Sequence, residues 1–393
     1  MNISKILANA SWGLFGVLLS SCSIPNSEKD DTFVPMAGLG ARLSVQPLAA
    51  IRPFHSEGAV HLHYELAITN YDPRALSLVD LAIVDESGLA IASFGAGELC
   101  AMLSMPFVEE PCRLDSGTQR VLFLTLDLED APESLSHQFS FADNNGDSLS
   151  LDAQAVPIGA DAPIAIGPPV GDGTWFAHAG PGPYSHHRQT LAPKAGKLTQ
   201  DQRFAIDWLR FDAEGPDWNA TFGSDVLAVA DASVIYVIND LPDADIGSHD
   251  RGGVAIDWDT LAGNKIVLDL GNGHFAIYEH LKSGSILVTE GDQVKRGQTI
   301  AAVGNSGNTT HPHLHFSIGD SAATGIADGR PYALDCYSLL GRIDPMPSWD
   351  AVAEQTPSSY GGDKFARTNK LASRNELPLG GSLVEFSDCD VSD

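Results

Sequence analysis

The chain has 393 residues, 43% of them hydrophobic, which leaves room for two or three domains with sizeable cores. Its formal net charge is -28, and no dense Lys/Arg cluster interrupts that acidity. A protein that grips nucleic acid through its phosphates is thereby excluded, and the acidity reads as a solubility feature.

The first residues read as an export signal. Lys5 is a sparse positive charge, Trp12 to Leu19 form an apolar run too short to span a bilayer, and Leu19-Ser20-Ser21-Cys22 follows. That ending resembles the bacterial lipoprotein signal, which implies cleavage before Cys22, acylation of Cys22 and a lipid anchor in the bacterial cell envelope. An ordinary secretory signal cut nearby is the alternative; both take the mature chain out of the cytoplasm. Residues 23–42 are a polar tether. Export permits disulfides, and Cys100, Cys112, Cys336 and Cys389 show no Cys-x-x-Cys spacing of a thiolate zinc site. Cys100 with Cys112 is the favoured pair because the two are close in sequence within one domain.

Residues 43–156 give short alternating runs at His61–Asn70, Leu76–Val84, Leu89–Phe94, Gln119–Leu128 and Gln138–Phe141, separated by turn chemistry such as Tyr71-Asp72-Pro73 and Asp85-Glu86-Ser87-Gly88. Strands at this spacing with no helical period between them predict an immunoglobulin-like antiparallel β-sandwich. In the first run Val60, Leu62, Tyr64, Leu66 and Ile68 make the buried face, which places His61, His63 and Glu65 on the opposite, solvated face. The acidic turn Asp143 to Asp147 lacks the closing Glu of a calcium loop and reads as a solvated turn.

A Pro/Gly-rich linker, residues 157–173, leads into a second strand-rich domain, residues 174–349. Its expected strands are Phe204–Phe211, Asp225–Ala230, Ser233–Val237, Lys265–Leu270, His274–His280, Ser285–Val288, Thr299–Val303 and His313–Ile318. From residue 350 to 393 the sequence turns polar and loses periodicity, with a frayed end at 387–393.

Nine of the 13 histidines lie between His178 and His315, which concentrates possible chemistry in the second domain. In His311-Pro312-His313-Leu314-His315-Phe316, alternation puts His311, His313 and His315 on one strand face and Leu314, Phe316 and Ile318 on the other. In Arg203-Phe204-Ala205-Ile206-Asp207-Trp208, Phe204, Ile206 and Trp208 form a core face, and Asp207 points the other way. A zinc site that works as a catalyst needs about three protein ligands and one open position, and imidazole with carboxylate suits it.

Tyr278-Glu279-His280-Leu281, Gly291-Asp292-x-Val294-x-x-Gly297-Gln298, Gly304-Asn305-Ser306-Gly307-Asn308 and Pro312-His313-Leu314-His315-Phe316, taken in order, resemble the lysostaphin-type, or LytM-like, zinc endopeptidases of bacterial cell walls. The resemblance spans roughly residues 175 to 345. It implies an all-β protein in which the N-terminal sandwich precedes a LytM-like antiparallel β-sheet metallopeptidase domain. It also implies zinc as cofactor, peptidoglycan peptides as substrate, His315 and Asp207 as ligands, and His280 and His313 as catalytic partners.

The chain departs from the family pattern at one place. Four residues before Asp207, where relatives carry a histidine ligand, stands Arg203, whose guanidinium has no lone pair to give. The replacement is sought in Ser185-His186-His187-Arg188, with His187 preferred to His186, while His311 and His274 are read as bystanders. Zinc on His187, Asp207 and His315 is therefore the expected site, with hydrolysis of peptidoglycan peptide bonds the expected activity. A zinc-less relative that regulates other wall hydrolases is the alternative. A biotinyl-lipoyl-like carrier, which the Gly291 to Gln298 hairpin also resembles, lacks an exposed lysine at the hairpin tip.

Overall fold

Alternating apolar residues build two facing sheets in the N-terminal third of the chain. A computed structural model describes residues 42–104, 112–183, 185–212, 215–248, 250, 253–323, 325–343 and 365–386. The described residues belong to a single compact unit in which antiparallel pairing dominates. The export signal with Cys22, nearly all of the tether, and Cys389 lie outside the described residues.

One sheet of the sandwich joins Leu43–Pro47, Pro53–Ser56, Ala59–Asn70 and Gln119–Leu128; the other joins Leu76–Val84, Ala90–Gly95, Arg113–Leu114, Ser134–Asp143 and Ser148–Pro157. Leu62, Tyr64, Leu66 and Ile68 of the first meet Leu81, Ile83, Phe139 and Phe141 of the second in one core. The short helix Ala96–Met102 is an addition that periodicity does not reveal, since Leu99 is its one buried residue. Cys100 pairs with Cys112, as expected, with Cα atoms 4.6 Å apart.

The far side of the Ala59–Asn70 strand corrects an expectation. His61, His63 and Glu65 are not solvated but 4%, 2% and 1% exposed. The alternation is right, yet the outward face is covered in turn: the His63 ring lies parallel to Phe204, from the second half of the chain, at 6.4 Å and edge-on to Phe54, from the neighbouring strand, at 4.9 Å. One antiparallel strand is thus buried on both faces.

The second half is organised by an eleven-stranded sheet. Its order is Gln293–Val294, Ala232–Ile238, Asn264–Asp269, Phe275–Leu281, Leu314–Gly319, Ile206–Asp212, Thr174–His178, Ser382–Glu385, Tyr337–Ile343 and Phe365–Ser373, with Gly215–Pro216 beside Ile206–Asp212. One face carries Trp175, Ile206, Trp208, Leu314, Phe316, Ile318 and Tyr278 into the main core. Two stretches with no expected strand, the linker and the C-terminal extension, turn out to be packed. Ile164–Ile166, within the expected linker, pairs in parallel with Tyr332–Leu334, and Val170 is buried. In the C-terminal extension, Ser382–Glu385 enters the sheet and sends Val384 and Phe386 into the main core. Both segments are too short to display a period. Ser285–Val288, expected as a strand, is not one, and Leu287 there is 69% exposed.

Candidate metal centre

Cross-strand register lines up a polar row on the sheet face opposite the main core. His178 pairs with Asp207, Asp207 with His315, and His315 with Glu279, so neighbouring strands bring these four side chains to one level. Asp207 is the hub. His315 Nδ1 lies 2.9 Å from its Oδ1, and His187 Nε2 lies 3.3 Å from its Oδ2. His313 Nε2 stands 3.6 Å from Oδ1 and His178 Nδ1 stands 3.9 Å from Oδ2. The carboxylate and all four rings are buried, between 0% and 5% exposed.

His187 reaches the row from a single helical turn, His186–Gln189, in the loop between Thr174–His178 and Ile206–Asp212. Of the two adjacent histidines, His187 is 3% exposed and aims at Asp207, whereas His186 is exposed. Ligand atoms of His186, His187 and Asp207 nonetheless fall within 4.8 Å of one another, so His186 flanks the same spot. Arg203 turns elsewhere: its Nε and Nη2 lie 2.7 and 2.6 Å from Glu65 Oε2.

His280 arrives by a local break in its strand. Along Phe275–Leu281, Ala276 and Tyr278 face the core, and plain alternation would send His280 after them. Ile266 pairs with Tyr278 and Asn264 with Leu281, so Glu279 and His280 together oppose Lys265 in a β-bulge, with His280 at φ 60°. The bulge gives Leu281 the core position and frees His280, whose ring centroid is 4.8 Å from His313 and 6.1 Å from His315. A positive φ at a non-glycine residue is a strain that persists only where surroundings impose it. Here Ser306 O sits 2.8 Å from His280 Nδ1. Ser306 Oγ also donates to Leu281 O at 2.7 Å and accepts from Asn264 N at 2.9 Å. The Gly304 to Gly307 loop thus buttresses the bulge.

The histidine triplet separates. The strand begins at Leu314, so His315 alone of the three is in it; His313 precedes it, with Nδ1 2.8 Å from His311 O. His311, expected on the same strand face, instead packs on Trp218 with centroids 4.7 Å apart. Pro312 explains the departure, because it has no N–H to offer a ladder. His178 is the residue that sequence reasoning missed; its signal was alternation in Trp175-Phe176-Ala177-His178, which sets His178 opposite the Trp175 and Ala177 core face.

Electrostatics follow from burial around one carboxylate. Burial alone would raise Asp207, but His187, His313 and the hydrogen bonds from His178 and His187 hold it well below the usual carboxylate range. Burial would lower His315, and Asp207 reverses this and raises it. Burial pushes His313 down to about 4 and His280 down to about 3, so both are neutral near pH 7. A buried carboxylate whose close ionisable neighbours in these contacts, His178, His187, His313 and His315, are all histidines is a donor set that fits a divalent metal.

Residues 212–325 match the sequence model of peptidase family M23. This stretch is thus similar to the M23 peptidases. The matched span of the M23 domain contains His280, His313 and His315 and begins just after Asp207. Among relatives, the peptidoglycan DD-endopeptidase ShyA of Vibrio cholerae is 43% identical over 70 residues, 18% of this chain and 14% of that protein. The murein hydrolase activator EnvC of Escherichia coli is 33% identical over 99 residues, 25% of this chain and 19% of that protein. The catalytic domain of lysostaphin from Staphylococcus simulans aligns with 40% of this chain and 88% of its own, at 22% identity and a TM-score of 0.23. The chain thus spans less than a fifth of the length of those two curated relatives. No described helix is long and apolar enough to cross a membrane.

Proposed function

We propose that this protein is a zinc-dependent endopeptidase that hydrolyses peptide bonds of bacterial peptidoglycan, with His187, Asp207 and His315 as metal ligands. The observation that carries the reading is the 3.3 Å approach of His187 Nε2 to Asp207, because it provides the histidine that Arg203 does not. The likeness to a peptidoglycan DD-endopeptidase supports the substrate class. Zinc bound there would act as a Lewis acid and bring the pKa of a water towards neutrality.

The protein's own contribution is proton handling beside that site. His280 Nδ1 and His313 Nδ1 each face a backbone carbonyl oxygen at 2.8 Å, so each carries the N–H and donates it. Their Nε2 atoms therefore keep a lone pair. Neutral and side by side, either ring can take the proton of an attacking water at Nε2, and the ring that has taken it then has an N–H with which to hydrogen-bond the developing oxyanion, roles each worth about 100- to 10,000-fold. We further infer export and a lipid anchor through Cys22, on the signal-like N-terminus alone.

A second reading, a zinc-less activator of other wall hydrolases, is favoured by Arg203 and by the likeness to EnvC. One experiment separates the two: metal analysis of the purified protein together with digestion of peptidoglycan, read by mass spectrometry. Stoichiometric zinc with new peptide termini, both lost in His315→Ala, supports the peptidase. A protein that binds no zinc and releases no fragment is the activator.

A further inference from the structure

The turn His186–Gln189 cannot hold its own place. A single helical turn closes too few hydrogen bonds to repay the order it needs, so its position has to be imposed from outside. Gln200 grips it from one side, its Nε2 donating to His187 O at 2.8 Å. The other grip comes from the sandwich. Arg188, next to His187 and 1% exposed, donates through Nη1 to Thr125 Oγ1 at 2.6 Å and through Nη2 to Glu65 Oε1 at 3.0 Å, Tyr64 O at 3.2 Å and Leu124 O at 3.2 Å. The second oxygen of Glu65 takes Arg203, whose Nη1 also donates to Gly329 O at 3.1 Å.

One buried carboxylate of the sandwich therefore clamps two arginines of the second half of the chain. Arg188 adjoins the replacement histidine, and Arg203 occupies the place the family gives to the original one. Buried ion pairs of this kind add little net stability compared with a well-packed apolar core, so a geometric role accounts for them better than a stabilising one. The surroundings agree, because the clamp sits where a ligand has been moved onto a loop.

We propose that Glu65 is a positioning residue for the metal centre: through Arg188 and Arg203 the N-terminal sandwich fixes the turn that presents His187 to Asp207. The sandwich is then an integral part of the metal site. This rests on the reading that His187 is a ligand, and groups acting on a ligand from behind typically change metal affinity by about 10- to 100-fold.

The test uses the full chain and two readouts. Zinc affinity is measured by competition with a chromogenic chelator for wild type, Glu65→Gln, His187→Ala and the double variant. Amide exchange over residues 186–190 is followed in the zinc-free protein. The expected result is about a tenfold or greater loss of affinity in Glu65→Gln, faster exchange across the turn, and no further loss when Glu65→Gln is added to His187→Ala. If Glu65→Gln binds zinc like wild type while His187→Ala is weakened, the positioning role is overturned and the ligand assignment stands. If neither is weakened, the ligand assignment falls and takes this role with it. Should Glu65→Gln fail to fold, Glu65→Asp keeps the charge and withdraws it by one methylene: reduced affinity in a folded protein supports the role, and unchanged affinity overturns it.

Discussion

Arg203 and Glu65, 138 positions apart in sequence, meet in a buried ion pair in which Nε and Nη2 lie 2.7 and 2.6 Å from the same carboxylate oxygen. The guanidinium that breaks the family's ligand pattern is thus engaged with the sandwich and not with Asp207. Arg203→His, which restores the pattern in sequence, is therefore expected to leave zinc affinity no better than wild type. It should also cost about 2 kcal/mol of stability, because Glu65 Oε2 loses its charged partner while Arg188 still pairs with Oε1. Calorimetric unfolding with parallel zinc titration checks both; a gain in affinity would sink the idea.

The two neighbouring histidines should behave differently. His187→Ala is expected to lower zinc affinity by more than about 100-fold, beyond what loss of a supporting group costs, whereas His186→Ala should stay within about threefold of wild type. Metal competition assays on the two purified variants decide. The reverse order would hand the ligand role to His186, which lies within reach of the same carboxylate.

Gly307→Ala probes the buttress under His280. Gly307 sits at φ 81°, and a Cβ there would overlap the backbone N and Cα of Gly263. Relief requires the loop to move, and with it Ser306 O, which holds His280 Nδ1. A stability loss of about 2 kcal/mol or more is expected, together with a fall in kcat at undiminished zinc content. A variant with wild-type turnover would show that the bulge does not need this support.

Acid sensitivity should come partly from the sandwich core. His137, 1% exposed, has Nε2 2.8 Å from Tyr64 Oη, and burial pushes its pKa down to about 4. The unfolded chain binds this proton near pH 6.5 and the folded one only near 4, so the contribution is complete above pH 6.5 and is lost as the pH falls towards 4. The loss amounts to on the order of 3 kcal/mol. Urea unfolding at pH 7 and pH 4.5 should show a smaller pH difference in His137→Gln, which keeps a hydrogen-bonding partner for Tyr64. An identical difference would assign the sensitivity to other groups.

Long alternating runs were legible because one face of each is buried: Leu76–Val84 and Gln119–Leu128 have the bounds that alternation predicts. Alternation also set Asp207 opposite Ile206 and Trp208. It failed where the backbone breaks period, at Pro312 ahead of the Leu314 strand and at the bulge that turns His280 out of the core. It failed again for Glu65, because a pattern within one strand tells which residues share a face and not what lies against that face. His187 lay between these cases. Its loop suggested a ligand through resemblance, and its single helical turn carries no periodic signal of its own.

The strand Ser382–Glu385 seats itself against Thr174–Ala177, which in turn flanks the strand of Asp207. Sequence distance here becomes an order of events. A chain emerging from the ribosome presents His187, Asp207, His280, His313 and His315 well before it presents the strand that joins their part of the sheet to Tyr337–Ile343 and Phe365–Ser373. Such long-range pairing forms late. The sheet beside Asp207 is therefore completed only once residue 385 has been made, after every residue of the polar row is already present.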